Sequence, residues 1–102
     1  MRQFTTPTHE IVVEGIDLTG CDVHVTYTQG KYVRDVTVEP EFDGTDTHLY
    51  VPWGQAESGQ FKVGAASVQV NWIYEDGNRN ATDDFTFKIT KNLLTRVISY
   101  GG

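Results

Sequence analysis

The stretch that decides the fold is Val68–Thr90, VQVNWIYEDGNRNATDDFTFKIT. Before its Asp76-Gly77 pair, Val68, Val70, Trp72 and Tyr74 alternate with Gln69, Asn71 and Ile73. After it, Phe85, Phe87 and Ile89 alternate with Thr86, Lys88 and Thr90. A period of two marks a strand, because successive side chains leave a pleated chain on opposite faces. Glu75-Asp76-Gly77-Asn78 supplies residues that accept a positive φ, as a tight antiparallel connection requires. The stretch predicts a long hairpin with one aromatic-rich face. That face must be covered by a second sheet, or it aggregates.

The same alternation recurs outward from the hairpin. Val23, Val25 and Tyr27 oppose His24, Thr26 and Thr28 in parity, and Gln29-Gly30-Lys31 reads as a tight turn. Tyr32–Val38 forms the next run, ended near Pro40, which has no backbone N–H to donate. Asp43-Gly44-Thr45 is a further turn, followed by a short strand over Thr47–Val51 that Pro52 stops. His9–Val13 predicts a first strand and Asn92–Ile98 (NLLTRVI) a last one. Only Trp53–Lys62, WGQAESGQFK, suits a short helical turn, and its two glycines exclude a long helix. Six or seven short strands with turn signals roughly 8–12 residues apart predict an all-β protein, an antiparallel β-sandwich of immunoglobulin-like type. A partly open barrel would leave nearly the same alternation. No repeat or linker divides the 102 residues, so 1–102 reads as a single domain with Ser99–Gly102 as a loose tail.

Composition narrows the function classes. Fourteen acidic residues against eight basic ones give a net charge of −6. No basic run exists, which opposes nucleic-acid binding, where clustered Lys and Arg neutralise phosphates. Cys21 is the only cysteine, so neither an internal disulfide nor a Cys-based metal site is available. The start MRQFTTPTHE lacks the apolar stretch of a signal peptide, and no run approaches the ~18 apolar residues of a membrane helix. The expectation is a protein made in the cytoplasm, with no membrane partner.

No chemical constellation emerges. His9, His24 and His48 lack metal-ligand spacing, and surface histidines are the simpler reading. The acidic run Glu39–Asp46 lacks the spaced oxygen pattern of an EF-hand loop and reads as a solvated turn. Adjacent Asp83 and Asp84 point to opposite faces of a strand and cannot act together without a bulge. Cys21 sits in a turn with neither a nucleophile elbow nor a Cys-His motif around it. Asn80-Ala81-Thr82 fits the glycosylation pattern, with no secretion signal to support its use. The expectation is no enzyme, no metal and no cofactor.

Contact surfaces remain. Trp53 follows Pro52 in a loop and reads as exposed, whereas Trp72 shares the inward parity of Val68 and Val70. Trp53 is thus the candidate for a glycan-binding platform, with the tyrosines beside it. On the outward side of the hairpin, Gln69, Asn71 and Ile73 are expected to face Thr86, Lys88 and Thr90. A polar, β-prone face of this kind, or an edge strand beside it, can pair with another chain.

Several short motifs occur in order: TTPTH (Thr5–His9), VTYTQ (Val25–Gln29), FDGT (Phe42–Thr45), then Gln55, Glu57 and Phe61 as a Gln-x-Glu element with a following Phe. VQVNW (Val68–Trp72), Asp76-Gly77 and NLLTRVI complete the series. Together they resemble small proteins encoded by phages and prophages of Gram-positive, gut-type bacteria, similar to the N-terminal β-domains of phage baseplate upper proteins. Around Gln55 the chain departs from the family's Leu-Thr-Gln-Glu-Glu-Thr wording and reads PWGQAES. The resemblance implies a non-enzymatic virion protein, tail- or baseplate-associated. Its partners would be other phage structural proteins or further copies of itself, in the host cytoplasm during assembly and then in the virion. No catalytic residue carries over. The interaction residues expected are Trp53, Gln55, Glu57 and Phe61 in the loop, and Gln69, Asn71 and Ile73 on the sheet.

Overall fold

A computed structural model describes residues 1–101. Eight strands and one helical turn follow in chain order: β1 Thr8–Val13, β2 Asp22–Gln29, β3 Tyr32–Val38, β4 Glu41–Phe42, β5 Thr47–Pro52, α1 Gln55–Ser58, β6 Gly64–Ile73, β7 Arg79–Ala81 and β8 Phe85–Ile89. They form two antiparallel sheets. The smaller has the order β1-β5-β4; the larger runs β3-β2-β6, with β7 and β8 both on the far side of β6. Gly102 lies outside the described residues.

The alternation places the core where it was expected. Val23, Val25 and Tyr27 of β2 lie opposite Trp72, Val70 and Val68 of β6, and all six are buried. Leu49 and Val51 of β5 and Val13 of β1 meet them from the smaller sheet. Burying each such side chain contributes about 1.5–3 kcal/mol, so this shared layer holds the two sheets together. Gly30, at φ 59°, makes the two-residue connection from β2 to β3, in a backbone region that L side chains avoid.

Three expectations are corrected. The first concerns Asn92–Ile98, which forms no strand; Leu93, Leu94, Val97 and Ile98 are all exposed. The second is the strand count, which is eight because two short pieces, β4 and β7, are separate elements. In the order, β2 sits between β3 and β6, whereas an immunoglobulin sandwich keeps its second strand beside the first and fifth.

The third correction is the long hairpin, which is broken. Asn71 opposes Ala81, so the paired numbers sum to 152; Val68 opposes Phe85, and they sum to 153. Two residues of β6, Gln69 and Val70, therefore face three, Thr82, Asp83 and Asp84. This is a one-residue bulge, and it reverses the parity of everything after it. Without it, Thr86 and Lys88 would point inward. With it, Phe87 stands beside Ala66, and Ile89 is fully buried beside Gly64.

Candidate functional site

The loop after β5 does not present an aromatic platform. Trp53 is only 3% exposed, a correction to its expected place on the surface. Its ring lies 4.7 Å from that of Tyr27 and 5.3 Å from that of Phe61, and the Arg34 guanidinium covers it at 4.2 Å. Its Nε1–H donates to His9 Nδ1 at 3.1 Å. Phe61 is equally buried and meets Tyr32 edge-on at 4.9 Å. The signal was present in the parity: Thr47, Leu49, Val51 and Trp53 are all odd, and all four point inward. Pro52 ends β5 without turning the next side chain outward.

The two polar residues of the loop lie on α1. The carboxamide of Gln55 grips one backbone unit of the C-terminal segment: its Nε2 donates to the Ile98 carbonyl and its Oε1 accepts the Ile98 N–H, each at 2.8 Å. Glu57 is exposed, and its carbonyl accepts from the Tyr32 hydroxyl at 3.1 Å.

Gln69, Asn71 and Ile73 do share the outer face of the larger sheet, but their neighbours differ from those expected. Asn71 and Ile73 lie opposite Ala81 and Arg79, not Lys88 and Thr90. Asn71 accepts from Arg79 at 2.9 Å, and Gln69 donates to the Thr82 carbonyl at 2.9 Å. An open groove of about 350 Å³ runs between Asn71, Arg79, His24 and Asp35. Its polar groups largely satisfy one another: His24 Nδ1 lies 3.2 Å from Asp35, and the Thr26 hydroxyl donates to the same carboxylate at 3.2 Å.

The histidines divide by environment. On the smaller sheet, His48 lies between two carboxylates, with Nε2 2.7 Å from Asp43 and Nδ1 2.8 Å from Glu10. The hydrogen bond to Asp43 and then that to Glu10 raise its pKa, favouring the imidazolium. Asp43 is held down to about 2, first by the Asp46 N–H, then by His48 and the Thr45 N–H. Within the acidic run, Asp43–Asp46 is thus a hydrogen-bonded turn, while Glu41–Phe42 before it is β4. His9 behaves in the opposite way. Burial first, then the Met1 α-amino group and Arg34, lower its pKa. Its Nδ1 also lies 3.2 Å from the Tyr27 hydroxyl, whose proton burial retains up to about 12. Among the described residues no group of three His, Cys, Asp or Glu side chains is placed to hold a metal ion. Burial raises the pKa of the half-buried Cys21 thiol, with Asp17 and Asp22 adding to the effect.

One surface was not anticipated from the sequence. Among the described residues β1 pairs with β5 alone, which leaves its other edge open. β8 pairs with β6, and its second edge is taken only over Lys88–Thr90, by Met1–Gln3, with Gln3 N–H on the Thr90 carbonyl at 3.1 Å and Thr90 N–H on the Met1 carbonyl at 2.9 Å. Along Phe85–Phe87 that edge is free. Between the two edges the sheets part, and a seam opens toward the core. Ile11, Val12, Phe85 and Phe87 line it, with Glu10, Asp83 and Asp84 at the rim. Val12 is 43% and Phe85 44% exposed. Among the described residues no strand pairs with β1 or with Phe85–Phe87 on this side.

No protein-family model matches the chain, and no curated protein or solved structure matches it.

Proposed function

We propose that this chain is a non-enzymatic assembly module, a phage structural or accessory protein of the tail- or baseplate-associated kind, that acts through protein–protein contact. The observation that carries the reading is the seam: two open strand edges side by side, with Val12 and Phe85 uncovered between them. Open edges with apolar side chains pair with other chains unless something blocks them. The motif resemblance supplies the phage context, and the virion as the place of action. Two antiparallel sheets around one core give such a module its scaffold.

The glycan-binding alternative loses its anchor, since Trp53 is buried under Arg34. The test is to quantify the protein on purified particles by mass spectrometry, together with light scattering of the isolated chain over a wide concentration range. A fixed copy number per particle, or a defined oligomer, is expected. A chain that stays monomeric at every concentration and is absent from clean particles overturns the reading.

A further inference from the structure

We infer that the seam is a strand-acceptor site whose occupant is Leu93–Ile98 of a second copy of this chain. The inference rests on the assembly reading above and names its partner.

The donor is a strand without a place in its own chain. Asn92–Ile98 is apolar and β-prone in sequence, yet it pairs with no strand. Leu93 is 89% exposed and Val97 54%. Its described backbone ties are few: the Gln55 carboxamide on Ile98, the Asn92 side chain accepting the Leu94 N–H, and Arg2 on the Lys91 carbonyl. Such a segment keeps its apolar side chains in water until another surface takes them.

The acceptor fits it in length, polarity and charge. β1 offers an open edge over Thr8–Val13, six residues, and Leu93–Ile98 is also six. At roughly 3.3 Å per residue both span about 20 Å. The wall of the seam is apolar, through Ile11, Val12 and Phe85. Its outer rim is acidic, through Glu10, Asp83 and Asp84, with no Lys or Arg; Met1 lines its inner part, with the α-amino group held on the Lys88 carbonyl at 2.7 Å. The C-terminal segment from Lys91 onward has Lys91 and Arg96 and no acidic residue. The two surfaces are thus complementary in sign.

Docking within one chain is disfavoured by topology. To lie beside Phe85–Phe87, the segment would have to turn back immediately after β8. The entrance to that hairpin, along Lys88–Thr90, is already filled by Met1–Gln3. A second copy approaches from outside and meets no such obstacle. Mutual exchange between two copies closes a two-fold dimer; one-way exchange propagates a chain of copies.

The test uses the full chain in a Cys21→Ser background. Val12→Cys in one preparation is mixed with Val97→Cys in another. A disulfide between the two variants is expected to form faster than in either preparation alone. Arg96→Glu, an exposed change that leaves the fold intact, is expected to weaken self-association about tenfold and to make it less sensitive to salt. Self-association or particle binding that persists in Arg96→Glu, without the mixed disulfide, removes the segment as occupant and leaves the assembly reading standing. A cross-link formed only when both cysteines are in one chain shows the segment folding back, and also overturns the proposal. A chain that is monomeric throughout and absent from particles removes both.

Discussion

Thr82 and Val70 bond to each other twice. The Thr82 N–H donates to the Val70 carbonyl at 2.9 Å, and the Val70 N–H donates to the Thr82 hydroxyl at 3.2 Å. The side chain stands in where the ladder loses step, so the extra residue leaves no amide of Val70 orphaned.

Inserting a residue between Asp83 and Asp84 should therefore be far worse than deleting Asp83. The deletion leaves two residues facing two and keeps Phe85, Phe87 and Ile89 opposite Val68, Ala66 and Gly64, whereas an inserted residue with the bulge kept shifts β8 by one and turns all three to the outer face. Cooperative unfolding, followed by circular dichroism in urea, should survive the deletion and disappear with the insertion. Thr82→Val removes the hydroxyl alone and should cost about 1–3 kcal/mol, the usual penalty for an unpaired buried donor. An insertion variant that unfolds like the parent would show that the count of residues in the bulge does not set the register.

Stability should peak near the ordinary histidine pKa, because His48 and His9 act with opposite sign. The pKa of His48 is raised in the folded state, so its contribution is complete below 6.5 and is lost as pH rises through the folded value. The pKa of His9 is lowered, so its contribution is complete above 6.5 and is lost as pH falls toward the folded value. His48→Gln should flatten only the alkaline limb of a melting-temperature profile. Loss of the acid limb instead would reverse the assignment.

Trp53→Ala should behave as a core truncation, costing about 3–5 kcal/mol in urea unfolding. Arg34→Met should lie within about 1 kcal/mol of the parent. It gives up a cation–π contact worth roughly 0.5–2 kcal/mol, but it also removes a buried Nη1 that has no protein partner. A Trp53→Ala chain as stable as the parent would mean that the ring is not in the core.

Gln55→Ala should release the C-terminal segment without unfolding the domain. The Ile98 amide should exchange freely with solvent, as measured by hydrogen exchange. If the segment is the donor strand, self-association should tighten by about tenfold, since two hydrogen bonds no longer hold it to its own chain. Weaker association in this variant would place Gln55 in the interface instead.

The alternation of side chains determined much of this protein by itself. Val23, Val25 and Tyr27, and Val68, Val70 and Trp72, had to share faces, because a pleated strand offers only two. The turns at Gly30 and Gly77 followed from the need for a positive φ, observed at 59° and 90°. These are local constraints, and they were legible residue by residue. Where contacts come from far along the chain, the sequence was silent. The parity of Phe85–Ile89 depends on one extra residue beside Gln69 and Val70, and local alternation does not report a change of register. The inward side of Trp53 follows from its parity with Leu49 and Val51, but what covers it, Arg34, Tyr27 and His9 from three other strands, does not. Asn92–Ile98 has the composition of a strand, but a strand exists only with a partner, and Met1–Gln3 holds the edge it would have used. Tertiary structure alone decided which edges remain open, because pairing is a property of two segments and composition is a property of one.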